Sequence, residues 1–194
     1  MAVRILAFSG SLRKNSFNQR LVGIAAEGAR EAGAEVTVVS LQDFPLPLMD
    51  EDLEAEQGMP PKAQELKNLF LAHDGLLISS PEYNSSITPA LKNAIDWVSR
   101  KQGNESRLAA YQNKVAALIA ASSSPLGGLR GLVTLRSILG NIGVLVMPDQ
   151  VTVPQADNAF HEAGHLLDQA KHDAVKKVGA KLAEAVAKLK AWPA

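Results

Sequence analysis

The polar stretch that follows the first apolar segment of the chain has the residue types of an anion-binding loop. It runs from Ser9 to Asn18, between a strand-like run and an amphipathic helical pattern. An anion at a helix N-terminus is stabilised by unpaired N–H groups and by the positive end of the helix dipole. The side chains of Ser11, Ser16 and Asn18 can add hydrogen-bond donors there, and the Arg13 guanidinium matches phosphate oxygens.

The same loop lacks the patterns that bind larger phosphate groups. It contains neither G-x-G-x-x-G nor G-x-x-x-x-G-K-[ST], which excludes a Rossmann dinucleotide fingerprint and a Walker A lysine. A loop built on hydroxyls suits a terminal monophosphate better than a pyrophosphate or a triphosphate. The spacing alone leaves an alternative open, because a turn rich in serine and asparagine also caps ordinary surface helices.

Composition predicts one globular domain, residues 1–194, with 46% hydrophobic residues, 21% charged residues, zero formal net charge and no cysteine. The zero net charge argues against nucleic acid as a partner. The lack of cysteine excludes disulfides, thiolate metal sites and cysteine nucleophiles. Residues 1–4 lead into the first strand without a signal-peptide pattern, and no apolar run approaches the length of a membrane span. We therefore expect a cytoplasmic protein without membrane insertion.

Apolar runs and helical periodicity alternate along the chain and must position this loop. They predict strands at 3–8, 35–40, 75–80, 114–121 and 145–153. They predict helices around 21–29, over 63–73, from 89 to about 100, around 132–139 and over 166–189. The proline-rich segment Gln42–Pro61 is expected to lack regular structure over much of its length. Five strands alternating with five helices imply right-handed crossovers and a parallel sheet covered on both faces. Among sheets of this kind we expect the flavodoxin-like three-layer α/β/α fold, whose five strands have the order 2-1-3-4-5.

Two more polar loops are expected beside the first one. In a sheet of that order the loops after the first and third strands meet where the chain reverses direction. Within the third-strand loop, Pro81 stiffens the turn, Tyr83 offers an aromatic wall, and the N–H groups of Glu82, Tyr83 and Asn84 can address the heteroatoms of a flat ring. The loop after the fourth strand, Ser122–Gly128, ends in two glycines that would let its backbone approach that ring closely.

Taken together, these residues resemble the NADPH-dependent FMN reductase family, which includes quinone and chromate reductases of flavodoxin-like fold. The resemblance spans nearly the whole chain and depends on three motifs in order, which are Gly10-Ser11-Leu12-Arg13 with Ser16 and Asn18, Pro81-Glu82-Tyr83-Asn84 with Leu91-Lys92-Asn93-Ala94-Ile95-Asp96-Trp97, and Gly127-Gly128. It implies that the first motif holds the phosphate of FMN, that the second holds the isoalloxazine, and that the fourth-strand loop lines its other edge. The predicted cofactor-binding residues are Ser9, Ser11, Arg13, Ser16, Phe17, Asn18, Pro81, Glu82, Tyr83, Asn84, Ser122, Ser123 and Gly127.

The mechanism that the resemblance implies needs little acid or base from the protein. A nicotinamide from NADPH or NADH would pass hydride to bound FMN, and an acceptor such as a quinone, chromate, an azo compound or free flavin would then take its place. We assign no catalytic residue and expect Tyr83 and Asn84 to shape the stacking site. The family also implies a homodimer or homotetramer, with Gln42–Pro61 and the helix that begins at Pro89 at the contacts.

Two other functions remain open at this point. A flavodoxin-like electron carrier or a flavin-binding sensor would hold the same cofactor without NAD(P)H turnover, although carriers dock through strongly charged surfaces and this chain is neutral overall. The segment from His161 through Glu162 to His165 matches H-E-x-x-H, which on a helix supplies two zinc ligands and a general base of a hydrolase. Gly164 weakens a helix there and no third ligand is evident, so we predict no metal.

Overall fold

The computed structural model describes residues 2–192 and contains a parallel sheet with helices on both faces. Its strands are β1 Arg4–Ser9, β2 Glu35–Ser40, β3 Gly75–Ser79, β4 Val115–Ala121 and β5 Leu145–Val153. Its α-helices are α1 Phe17–Glu31, α2 Glu51–Gln57, α3 Pro61–Ala72, α4 Pro89–Ser99, α5 Leu129–Asn141 and α6 Gln169–Lys190. The strand order β2-β1-β3-β4-β5 confirms the predicted flavodoxin-like arrangement.

The two central strands are apolar throughout because helices cover both of their faces. Every residue of β3 and β4 is buried, as expected for an interior parallel strand. Phe8 of β1 pairs with Ile78 of β3, which in turn pairs with Leu118 of β4. This register brings the carboxyl ends of β1, β3 and β4 side by side at one edge of the sheet.

A separate apolar core lies on each face of the sheet. One core packs Leu21 and Leu182 from α1 and α6 against the sheet, and the other packs Phe70, Leu91 and Leu135 from α3, α4 and α5. Burial of such side chains contributes about 25 cal/mol per Å² of apolar surface. The two cores hold the strand ends, and therefore the loops that follow them, in fixed positions.

The acidic segment between β2 and α3 is more regular than predicted. Leu41–Asp43 forms a 3-10 turn, and α2 occupies Glu51–Gln57, so the described residues contain six α-helices where five were expected. Asp50 caps α2 by accepting the N–H of Asp52 at 2.9 Å. The acidic residues of its first turn are favourable at the positive end of the helix dipole. Gly58 ends the helix at a φ of 75°.

The last helix begins later than predicted. Leu166 is buried but precedes α6, which starts after the capping residue Asp168. The segment before it is a hairpin in which Phe160 pairs with Leu166. None of the helices between residues 2 and 192 is long and apolar enough to span a membrane.

Helices α1 and α6 touch along their backbones because each presents a glycine to the backbone of the other. A Cβ on Gly179 would lie 1.8 Å from the carbonyl oxygen of Ala25, and a Cβ on Gly28 would lie 2.0 Å from the carbonyl oxygen of Lys176. No side chain fits at such separations. The two glycines therefore set the spacing between the helix that follows the predicted phosphate loop and its largest neighbour.

We expect Gly179→Ala to lower the free energy of unfolding by at least about 2 kcal/mol, because its methyl group must force the two backbones apart. Gly23→Ala, in the same helix pair, is the matched control. Nothing lies within 4 Å of its Cβ position, so this change is expected to stabilise the protein by about 0.5–1 kcal/mol. Urea unfolding of both variants measures the change in their free energy of unfolding. Equal changes in the two variants would contradict the close backbone contact at Gly179.

Candidate active site

A cleft of about 120 Å³ opens at the carboxyl ends of β1, β3 and β4. It is lined by all of the predicted cofactor-binding residues except Ser9, Asn84 and Gly127, and also by Ala121. The loops after β1 and β3 are tied together beside it. The N–H of Gly10 donates to the carbonyl of Ser79 at 2.9 Å, and the Thr88 hydroxyl donates to the carbonyl of Gly10 at 2.5 Å.

The first wall of the cleft is a loop with several unused backbone donors. Ser16 caps α1, and its hydroxyl accepts the N–H of Gln19 at 3.3 Å. The consecutive N–H groups from Lys14 to Asn18 have no hydrogen-bond partner within residues 2–192. The Ser16 hydroxyl keeps its own proton to donate. This set of donors at a helix N-terminus fits a phosphate monoester.

Arg13 adds a positive charge to the same wall. Its guanidinium carbon lies 5.7 Å from the centroid of the Phe17 ring, and it has no acceptor among the described residues. Phe17 stacks on Phe160, with centroids 5.7 Å apart and an interplanar angle of 10°. The hairpin before α6 therefore supports the first turn of α1 from behind, a contact that sequence spacing did not indicate.

Asn18 uses its side-chain amide to join strand ends. Its Nδ2 donates to the carbonyl of Ala121 at 2.8 Å, while its Oδ1 accepts the N–H of Ala121 and the hydroxyl of Ser79, both at 2.9 Å. The residue is buried. The sequence predicted this amide as a phosphate donor, whereas the structure uses it to fix the start of α1 against β3 and β4.

The second wall is a tight turn after β3. Tyr83 and Ser86 exchange backbone hydrogen bonds of 2.9 and 3.0 Å, and the two residues between them have positive φ angles of 50° and 67°. The Tyr83 N–H is therefore engaged, so the expectation that it donates to a ring is corrected. The N–H groups of Glu82 and Asn84 have no partner within residues 2–192. The Tyr83 side chain is 51% exposed at the mouth of the cleft.

Glu82 binds the start of α5 with its carboxylate. Oε2 accepts the N–H groups of Arg130 at 3.0 Å and Gly131 at 3.1 Å, and Oε1 accepts Nε and Nη2 of Arg130 at 2.9 and 2.8 Å. The Glu82 side chain is only 5% exposed. Sequence reasoning considered only its backbone, because nothing local links residue 82 to a helix that begins at Leu129.

The third loop closes the cleft beside Ser122 and Ser123. Gly127 and Gly128 lie at its end with φ angles of 62° and 94°, which favour glycine. A Cβ on Gly127 would lie 2.8 Å from the backbone nitrogen of Pro154, and one on Gly128 would lie 2.8 Å from the Cβ of Ala120. Both glycines are therefore needed for the turn conformation and for close packing against β4 and the end of β5. The sequence analysis had instead expected them to face a flat ring.

Three predicted residues lie outside the cleft. Ser9 is fully buried, and its hydroxyl accepts the N–H of Ser11 at 3.2 Å, so it shapes the loop from below. Asn84 occupies the exposed tip of the second turn, and Gly127 lies behind the third loop.

The proposed zinc motif does not form the helix that such a site requires. His161 and His165 lie in the hairpin before α6, where the N–H of His161 donates to the carbonyl of His165 at 2.8 Å. Their rings stack at 5.1 Å between centroids. Across residues 2–192, no group of three or more His, Asp or Glu side chains is arranged to hold a metal ion. The observed geometry gives no support to the hydrolase alternative.

Several known proteins are similar to this chain in sequence. Residues 3–158 match the family described as NADPH-dependent FMN reductase. An NADPH:quinone oxidoreductase of Arabidopsis thaliana is 32% identical over 91% of this chain and 88% of that protein. An NAD(P)H-dependent FMN reductase of Pseudomonas aeruginosa is 32% identical over 90% of each chain.

Solved structures agree with these sequence matches. The flavoenzyme NAD(P)H:(acceptor) oxidoreductase FerB from Paracoccus denitrificans superposes with a TM-score of 0.78 at 25% identity. The superposition covers 96% of this chain and 98% of FerB. The similarity of fold thus extends over nearly the whole chain.

The Asn18 bridge predicts a large effect of a nearly isosteric change. Asn18→Asp removes the donor to the Ala121 carbonyl and sets a carboxylate against it, so we expect the free energy of unfolding to fall by at least about 2 kcal/mol. The exposed residue Asn68 provides the control, since Asn68→Asp is expected to change it by less than about 0.5 kcal/mol. Urea unfolding of the protein without cofactor measures both, and a neutral Asn18→Asp would refute the bridging role.

Proposed function

This chain belongs to the NADPH-dependent FMN reductase family, and we propose that the cleft between its three loops is the flavin site. The protein is an NAD(P)H-dependent oxidoreductase that uses FMN. The observation that carries the proposed site is the run of N–H groups from Lys14 to Asn18, which have no partner among residues 2–192, together with the Arg13 guanidinium, which has no acceptor in the same part of the chain. We further propose that residues 1–194 form a single FMN-binding reductase domain.

The first wall is proposed to bind the phosphate. Ser11, Arg13 and Ser16 contribute hydroxyl and guanidinium donors, and Phe17 and Asn18 contribute backbone N–H groups at the positive end of α1. The isoalloxazine is proposed to lie along Pro81–Asn84 and the Ser122–Ser123 edge, where unpaired N–H groups stabilise negative charge on the ring.

The mouth of the cleft is proposed to receive the nicotinamide and the acceptor in turn. Bound FMN supplies the hydride chemistry, and the protein supplies orientation and electrostatics. The exposed Tyr83 gives planar molecules an aromatic surface for stacking. We propose quinones, chromate, azo compounds and free flavin as acceptors of this shallow site, with NADPH or NADH as donor.

Assembly and location are also proposed. Leu48, in the segment 42–61, is 78% exposed. Next to it, an apolar groove of about 420 Å³ runs between Leu12, Phe44 and the start of α4 at Ala90. A second copy of this chain would cover these surfaces, which supports a homodimer or homotetramer. We propose that the enzyme acts in the cytoplasm.

The phosphate site is tested by comparing FMN with riboflavin, which lacks the phosphate. Arg13→Met should raise the Kd of FMN about tenfold or more, because a charge-assisted hydrogen bond is lost, and should leave the Kd of riboflavin unchanged. Arg30→Met, at the other end of α1, is the control and should change neither. Titration with quenching of flavin fluorescence measures all four values. Equal losses for both ligands would show that Arg13 does not bind the phosphate.

The reductase activity is tested against the carrier and sensor alternatives by anaerobic mixing. The yellow colour of FMN-loaded protein should fade rapidly on addition of NADPH or NADH and return on addition of a quinone, as expected of an enzyme that passes hydride through its cofactor. Free FMN at the same concentration is the control. A loaded protein that stays yellow with both nucleotides would instead support a carrier or a sensor.

A further inference from the structure

The Glu82 carboxylate joins two loops that are far apart in sequence. It belongs to the turn after β3, yet its four short contacts all go to Arg130 and Gly131 at the start of α5. Glu82 is also a lining residue of the cleft. This contact therefore lies within the cleft wall.

The surrounding backbone is built to let this contact form. A Cβ on Gly131 would lie 3.3 Å from the Cβ of Glu82 and 3.2 Å from the carbonyl oxygen of Ser86. The lack of a side chain at residue 131 lets α5 approach the turn. Two backbone N–H groups at the positive end of α5 and one guanidinium then offset the cost of burying the carboxylate.

The charges of Glu82 and Arg130 balance each other beside the cleft. Arg130 is 55% exposed and directs its guanidinium to Glu82, so the wall carries one positive and one negative side chain in contact. Loss of either partner would leave a single charge beside the cleft. An uncompensated positive charge favours the more negative, reduced form of a bound redox group, and a negative charge disfavours it.

We propose that Glu82 and Arg130 form a clamp that positions the turn after β3 against the loop after β4 in the flavin site and sets the charge beside the cleft. Both are positioning residues. This inference rests on the proposed flavin site. It adds to that site a residue, Arg130, that lies outside the three recognised motifs, and it gives the Glu82 side chain a role separate from its backbone.

Two single substitutions and a control test the clamp. Glu82→Gln and Arg130→Met should each raise the Kd of FMN at least tenfold, because the two walls are no longer held together. Their effects on the midpoint potential of bound FMN should have opposite signs, upward for Glu82→Gln and downward for Arg130→Met. Glu31→Gln, which breaks the exposed pair with Lys176 at the far end of α1, should change neither quantity.

The outcomes separate the proposals. Unchanged FMN affinity in both variants would overturn the positioning role, and potential shifts of the same sign would overturn the charge role, since a purely structural defect acts on both variants alike. Thermal unfolding of the cofactor-free proteins checks that the variants fold. If Glu82→Gln folds poorly, Arg130→Met, which changes an exposed residue, still tests the clamp through the Kd and the midpoint potential of FMN. Wild-type protein that fails to retain FMN would instead refute the flavin site itself.

Discussion

The buried amide of Asn18 is the interaction on which the arrangement of the cleft depends. Parallel strands end with unpaired backbone groups, and a helix that returns across the sheet needs a fixed starting point. Asn18 meets both needs, because its three hydrogen bonds reach Ser79 at the end of β3 and Ala121 at the end of β4. The start of α1 is thereby held beside the other two loops, together with the Phe17 and Asn18 N–H groups, which have no partner within residues 2–192.

Much of the fold follows from local patterns, and its exceptions have local causes. Buried strands such as β4 can be predicted because both of their faces must be apolar, and α4 begins at Pro89 as predicted. The segment 42–61 was predicted to be largely irregular because it is rich in proline. It nevertheless contains a short helix, which is capped by Asp50 and stabilised by acidic residues in its first turn. Leu166 matches the apolar period of α6 and is buried, yet it belongs to the preceding hairpin, and periodicity alone cannot separate the two.

The sequence predicted which residues line the site better than it predicted which of their atoms face the cleft. Sequence patterns brought together the polar residues of three loops, since carboxyl ends of adjacent parallel strands share one edge. They did not reveal that the Asn18 amide faces the sheet, that the Tyr83 N–H closes its own turn, or that the Glu82 carboxylate reaches Arg130. The Asn18 and Glu82 contacts depend on partners distant in sequence, whose positions only the packed sheet determines, whereas the Tyr83 contact depends on the exact geometry of a turn closed by Ser86.

The backbone contact between α1 and α6 has a consequence for the order in which the molecule is completed. On the ribosome, α1 is made before β2 to β5, whereas the helix against which Gly28 packs is made only after them. Until α6 arrives, the side of α1 that packs against it is uncovered, and the closure of so long a loop is entropically costly. The nascent chain therefore exposes apolar surface of α1 until α6 has been made, and α6 is the segment that ends this vulnerable period.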